Sequence, residues 1–144
     1  MKPDFLTIAV DFDGTIIGPH QYPEAKTANP FAVECLKVLS RCPRVKLILW
    51  SCRDKDSDLT AYNNMINWLN ERDIHFDAIN DNLDEHKKLG FKCRKVFANI
   101  YIDDLSNESF GSKNKIVDYW CQLWNRIYND RSLNQWIDEM ISLI

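Results

Sequence analysis

No apolar run in this 144-residue chain approaches the ~20 residues that would cross a bilayer. Glycine (4) and proline (5) are scarce, which excludes collagen-like and linker-like organisation. The five cysteines, Cys35, Cys42, Cys52, Cys93 and Cys121, are odd in number and contain no C-x-x-C pair. That usage points to reduced thiols rather than a disulfide framework. The opening MKPDFLTIAVDFDG carries one Lys and a short apolar run that soon meets Asp11, unlike a secretory leader, so a cytoplasmic protein with no membrane partner is expected. Basic charge is not in excess: Lys+Arg 18 against Asp+Glu 21 leaves a net charge of −3. This balance lowers the expectation of a nucleic-acid partner without removing it. His75 and His86 have no metal-ligand spacing with cysteine or each other, so zinc is not expected.

What is present is an ordinary globular composition, 45% hydrophobic and 27% charged. A single domain over residues 1–144 is expected, able to bury roughly 68–70% of its unfolded surface. Residues 5–10 (FLTIAV) and 45–50 (VKLILW) read as buried strands, with further strands at 76–79 (FDAI) and 97–102 (FANIYI). Asn29-Pro30 reads as a helix start, followed by Phe31, Cys35, Leu36 and Leu39 at helical spacing, with Pro43 as the stop. Ser57 or Asp58 caps a second helix with Leu59, Tyr62, Ile66 and Leu69 on one face. Amphipathic helices fill about 113–144, one marked by Ile116, Trp120, Leu123, Trp124 and Ile127. The last is announced by a capping box, Ser132-Leu133-Asn134-Gln135.

Strands alternating with helices define an α/β fold with a parallel sheet covered on both faces. In such sheets ligands sit beyond the carboxyl ends of the strands. Three of the expected strands end in polar residues suited to chemistry: Asp11 and Asp13, then Ser51, then Asp103 and Asp104. With a period of two, Asp11 and Asp13 project to one side, and two close carboxylates repel unless a cation joins them. The competing reading of Asp13-Gly14 is a favoured turn pair. Ser51 can equally be a turn residue, and Lys95 one solvated charge among Lys87, Lys88, Lys92 and Arg94.

The segment DFDGT after an apolar strand resembles the first motif of the haloacid dehalogenase-like (HAD) superfamily of phosphohydrolases and phosphotransferases. Ser51 after LILW resembles its second motif, Lys95 its third, and Asp103-Asp104 in YIDD its fourth, in the right order. More narrowly, the chain is similar to small bacterial HAD proteins of VDFDGT…LILWS…RK…YIDD layout. The resemblance implies a three-layer Rossmann-like core and a Mg²⁺-dependent phosphohydrolase. Asp11 would be the nucleophile and form an aspartyl-phosphate. Asp13 would be the general acid, then the base. Ser51 would hydrogen-bond a phosphoryl oxygen, and Lys95 would neutralise charge. Asp11, the carbonyl of Asp13, and the pair Asp103-Asp104 would hold the ion, with Asp104 favoured as the direct ligand. Gly14, Cys52, Arg53 and His20 join Ser51 as expected substrate-side residues, although Cys52 also reads as buried filler and Arg53 as a surface ion pair.

The chemistry suits these residue types independently. A carboxylate is already ionised at neutral pH and needs no base to become a nucleophile, but it is repelled by an anionic phosphoryl group. A divalent ion and a Lys offset that repulsion. Only 37 residues separate Asp13 from Ser51 and 41 separate Arg53 from Lys95, so no cap domain fits in either interval. An open site results, with residues 16–28 as a flap carrying His20, Tyr22 and Lys26. Asn99 and Leu105 stand where such relatives often carry Asp and Arg. The expected substrate is a small phosphate monoester or the phosphorylated end of a polymer, with a homodimer over the open site as a secondary expectation. Two other classes compete. One is a non-catalytic metal- or phosphate-binding protein on the same fold. The other is a phosphoacceptor module, whose aspartate would fall at the third-strand end, here the poorly matching Ile79-Asn80-Asp81.

Overall fold

A computed structural model describes residues 4–88, 96–103 and 115–144. Its frame is a four-stranded parallel sheet of β1 (Leu6–Val10), β2 (Val45–Leu49), β3 (Ala78–Ile79) and β4 (Ile100–Ile102). The strand order is β3-β2-β1-β4. The chain steps outward from β1 to β2 and β3, then returns to the other side of β1 with β4. The reversal puts a topological switch point beside β1, where open parallel sheets bind ligands. Helices α1 (Ala32–Arg41), α2 (Leu59–Glu71), α3 (Asp84–Lys88), α4 (Lys115–Ile127) and α5 (Asp130–Ser142) flank the sheet. The fold is thus the expected α/β architecture, Rossmann-like with three layers.

Every residue of β1 is buried, as a central strand covered on both faces requires. Period-two alternation divides its side chains. Leu6, Ile8 and Val10 join Leu47 and Leu49 in the main core with residues of α1, α2, α4 and α5. Ala9 and Ile48 enter a smaller core with Leu83, Val96 and Ala98. Beside it His86 of α3 lies against the rings of Phe5 and Phe97, and burial lowers its pKa. Leu133, Trp136 and Ile137 of α5 belong to the main core, so the last helix packs on its own chain.

The edge strands are shorter than their hydrophobic patterns predict, and polar side chains are the reason. Asp77 Oδ2 accepts from the Leu47 amide at 2.8 Å, replacing a backbone ladder bond before β3. Asn99 Oδ1 does the same for the Thr7 amide at 2.8 Å before β4. Asn99 therefore has a pairing role at the amino end of its strand, away from the end where ligands bind.

Two of three helix starts differ from expectation. Asn29 does not cap α1; Phe31 occupies that position with a left-handed φ of 67° and no side-chain cap. Asn129, not Ser132, caps α5, and its side chain accepts from the Ser132 amide. Asp58 caps α2 as predicted, accepting from the Ala61 amide at 3.1 Å. The buried face of α2 is Ala61, Met65, Trp68 and Leu69, whereas Leu59 is exposed. A cap residue followed by one apolar residue is too short a pattern to fix helix phase.

Candidate active site at the switch point

β1 and β4 pair in register with Val10 opposite Ile102. The residues that follow, Asp11 and Asp103, therefore leave neighbouring strands side by side. The Asp11 amide donates to the Ile102 carbonyl at 2.9 Å, carrying the ladder one residue past β1. On the other flank the Trp50 amide donates to the Val10 carbonyl at 2.9 Å, which brings Ser51 to the same edge. Asp11, Asp103 and Ser51 thus converge at the carboxyl ends of three adjacent strands. Lys95 and Asp104 lie outside the described residues.

The chain after Asp11 turns tightly over one carbonyl. The amides of Thr15, Ile16 and Ile17 all approach the Phe12 oxygen within 3.2 Å. Gly14 has a φ of 76°, a conformation that a Cβ would penalise. The turn reading of Asp13-Gly14 therefore holds. Thr15 Oγ1 donates to Asp11 Oδ2 at 3.3 Å. Two distant residues support the turn from behind. Asn29 Nδ2 donates to the Thr15 carbonyl at 2.8 Å and approaches those of Gly14 and Ile17. Trp120 Nε1 also donates to the Thr15 carbonyl, at 2.8 Å. Sequence reasoning read Asn29 as a helix cap and Trp120 as core, and missed that both hold this turn.

Arg53 departs most from expectation. It is neither a surface ion pair nor exposed to a substrate: its side chain is fully buried. Its Nε donates to Asp13 Oδ2 at 2.9 Å and its Nη2 to Asp13 Oδ1 at 2.8 Å. The guanidinium lies between the rings of Phe12 and Tyr22, about 5 Å from each centroid. Burial of a cation is costly unless it is paired and fully hydrogen-bonded, and here Asp13 supplies the charge. The Ser51–Arg53 loop is braced in turn by Asn80, which has a left-handed φ of 54°. Asn80 Oδ1 accepts from the Ser51 amide at 2.7 Å, and Nδ2 donates to the Arg53 carbonyl at 3.2 Å. Asp81 is held by Lys87 Nζ at 2.5 Å, and this bond sets its carboxyl below the usual carboxylate range.

Residues 16–28, the expected flap, form a loop hydrogen-bonded within itself and to α2. Gln21 braces the loop internally through the carbonyls of Gly18 and Thr27 and the amides of Lys26 and Thr27. The loop is then tied to α2. Tyr22 donates to Asp58 Oδ2 at 2.8 Å, Asn64 Nδ2 to the Pro23 carbonyl at 3.0 Å, and Trp68 Nε1 to the Lys26 carbonyl at 3.0 Å. The Ala61 amide and the Tyr22 hydroxyl lower the Asp58 pKa, and the carboxylate raises that of Tyr22. Lys26 pairs with Glu24 at 2.6 Å. Of the loop residues expected near a substrate, Tyr22 and Lys26 thus have partners within the chain, and His20 is exposed at a φ of 63°.

Cys52 is exposed and is not the buried filler that its position suggests. Cys35 is buried, donates to the Trp120 carbonyl at 3.4 Å, and burial pushes its thiol up to about 12. Since thiolate is the reactive form, an alkylating reagent at pH 8 is expected to modify Cys52 while sparing Cys35 until the protein unfolds. Peptide mapping by mass spectrometry reads this, and labelling of both at one rate would contradict the packing of α1 on α4.

The donor types at these strand ends are oxygens, the kind a hard divalent cation takes. Asp11 and Asp103 follow neighbouring strand ends, and the Asp13 side chain is directed to Arg53. Oxygen donors with one or two carboxylates are what Mg²⁺ prefers. Among the described residues no three His, Cys, Asp or Glu side chains form a ligand cluster. Among the described residues, no helix is long and apolar enough to cross a membrane.

No protein-family model and no curated protein matches the chain. The solved structure of a conserved protein from Bacteroides thetaiotaomicron is similar, with 33% identity and a TM-score of 0.62. The match covers 84% of this chain and 91% of that one. At that identity and coverage the relationship is one of family as well as fold: the chain belongs to the family of that conserved protein.

Proposed function

We propose that the protein is a Mg²⁺-dependent phosphohydrolase that cleaves a phosphate monoester on a capless HAD-type core. The observation that carries this reading is the exit of Asp11 and Asp103 from paired strands at the switch point, with Ser51 on the next strand end. Asp11 attacks phosphorus, the P–O bond to the ester oxygen breaks, and Asp13, entering the step protonated, supplies the proton to that oxygen. Water then attacks the aspartyl-phosphate, Asp13 takes its proton, and phosphate leaves with Asp11 restored. A carboxylate has about four acceptor positions; Arg53 fills one on each oxygen of Asp13, leaving the others for this exchange. Ser51 Oγ accepts from the Arg53 amide at 3.0 Å, which leaves its own O–H to donate to a phosphoryl oxygen. Asp11, the Asp13 carbonyl, Asp103 and, by resemblance, Asp104 would hold Mg²⁺. The ion would supply charge neutralisation at the phosphoryl oxygens. By resemblance Lys95 adds a second positive charge. The loop at 16–28 is tied to α2, which leaves the site open to a small ester or to the phosphorylated end of a polymer.

Assay of an aryl phosphate with the wild-type chain tests the reading. Turnover is expected with Mg²⁺ and not with a chelator, and Mg²⁺ alone is expected to raise the melting temperature. A rise in melting temperature without turnover across a broad panel of phosphate esters would overturn the enzyme reading in favour of a binding protein.

A further inference from the structure

We infer that Arg53 is a positioning residue for Asp13, fixing its carboxylate relative to the Ser51 hydroxyl; this rests on the phosphohydrolase reading above. All five N–H donors of Arg53 have partners within the chain. Two go to the oxygens of Asp13, and Nη2 also reaches the Glu24 carbonyl at 2.7 Å. Nη1 reaches the carbonyls of Pro23 and Ala61 at 2.9 and 3.0 Å. The planar fork therefore cannot shift without leaving buried donors unpaired. The backbone of the same residue is fixed to Ser51 Oγ and to Asn80. One residue thus links the two segments between which a phosphoryl group would sit. The pair is also asymmetric: Arg53 is fully buried, while the Asp13 side chain is 36% exposed. The cation is turned inward and the acid outward, an arrangement suited to presenting one carboxylate to a ligand rather than merely neutralising charge. Lysine cannot replace this fork, because its ammonium is a point charge with three donors.

The test is a double-mutant cycle on kcat with Arg53→Lys and Asp13→Asn, using an aryl phosphate and Mg²⁺. Misplacement of a catalytic group by about 1 Å can cost ~10²-fold, so Arg53→Lys is expected to lower kcat by about that factor with little change in KM. In the Asp13→Asn background the same substitution is expected to cost nothing further, because residues acting as a unit are non-additive. An equal loss in both backgrounds, or no loss in either, overturns the inference. Absence of turnover by the wild type instead overturns the phosphohydrolase reading on which it rests. If Arg53→Lys does not melt cooperatively, the wild type and Asp13→Asn are compared by NMR of the Arg53 Nε–H. A signal protected from exchange in the wild type and displaced in Asp13→Asn supports the inference. A signal that is unmoved, or that exchanges as fast as an exposed arginine's, overturns it.

Discussion

Asp11→Asn is expected to lower Mg²⁺-dependent turnover of an aryl phosphate by on the order of 10³-fold or more while leaving the fold intact. A loss of that size is about 4 kcal/mol of transition-state stabilisation. An amide oxygen is a poor nucleophile, and the variant also removes one charged donor from the proposed ion site. Two structural contacts, by contrast, survive. The Asp11 amide still donates to Ile102, and the Asn carbonyl oxygen can still accept from Thr15 Oγ1. Cooperative melting is therefore expected beside the lost activity. If the variant turned over within tenfold of the wild type, Asp11 would not be the nucleophile and the reaction would require another group.

The catalytic candidates that were legible in the sequence are those whose position depends on one strand alone. A polar residue at the end of a buried strand must emerge at its carboxyl end, so Asp11, Ser51 and Asp103 could be placed without tertiary information. The four strands and all the helices except short α3 were legible for the same reason, since hydrophobic period is a local property. The supporting contacts were not. Trp120 meets Thr15 across 105 positions and Arg53 meets Asp13 across 40, and no local pattern marks either pair. Asn29 has the composition of a cap and stands before Pro30, yet its amide is drawn to three carbonyls of the motif turn. Tertiary hydrogen bonding decided that competition. Arg53 reads as an exposed charge because arginine usually is one; only its five satisfied donors make complete burial tolerable.

These supports imply that the motif turn and the main core are one mechanical unit, and Trp120 tests this most directly. Its side chain is fully buried among residues of α1, α4 and the sheet, and its indole N–H satisfies the Thr15 carbonyl. Trp120→Ala removes a large core side chain and leaves a cavity, so a destabilisation of about 3–5 kcal/mol is expected in equilibrium denaturant unfolding. Trp120→Phe keeps most of the apolar volume and loses the N–H; because Asn29 still donates to the Thr15 carbonyl, the cost should be nearer ~1–2 kcal/mol. The two variants separate packing from hydrogen bonding. Because α4 and α5 pack on their own chain, the unfolding midpoints should not change with protein concentration. A Trp120→Ala loss below about 1 kcal/mol, or a midpoint that rises with concentration, would mean that the tryptophan face is completed by a second copy rather than by this core.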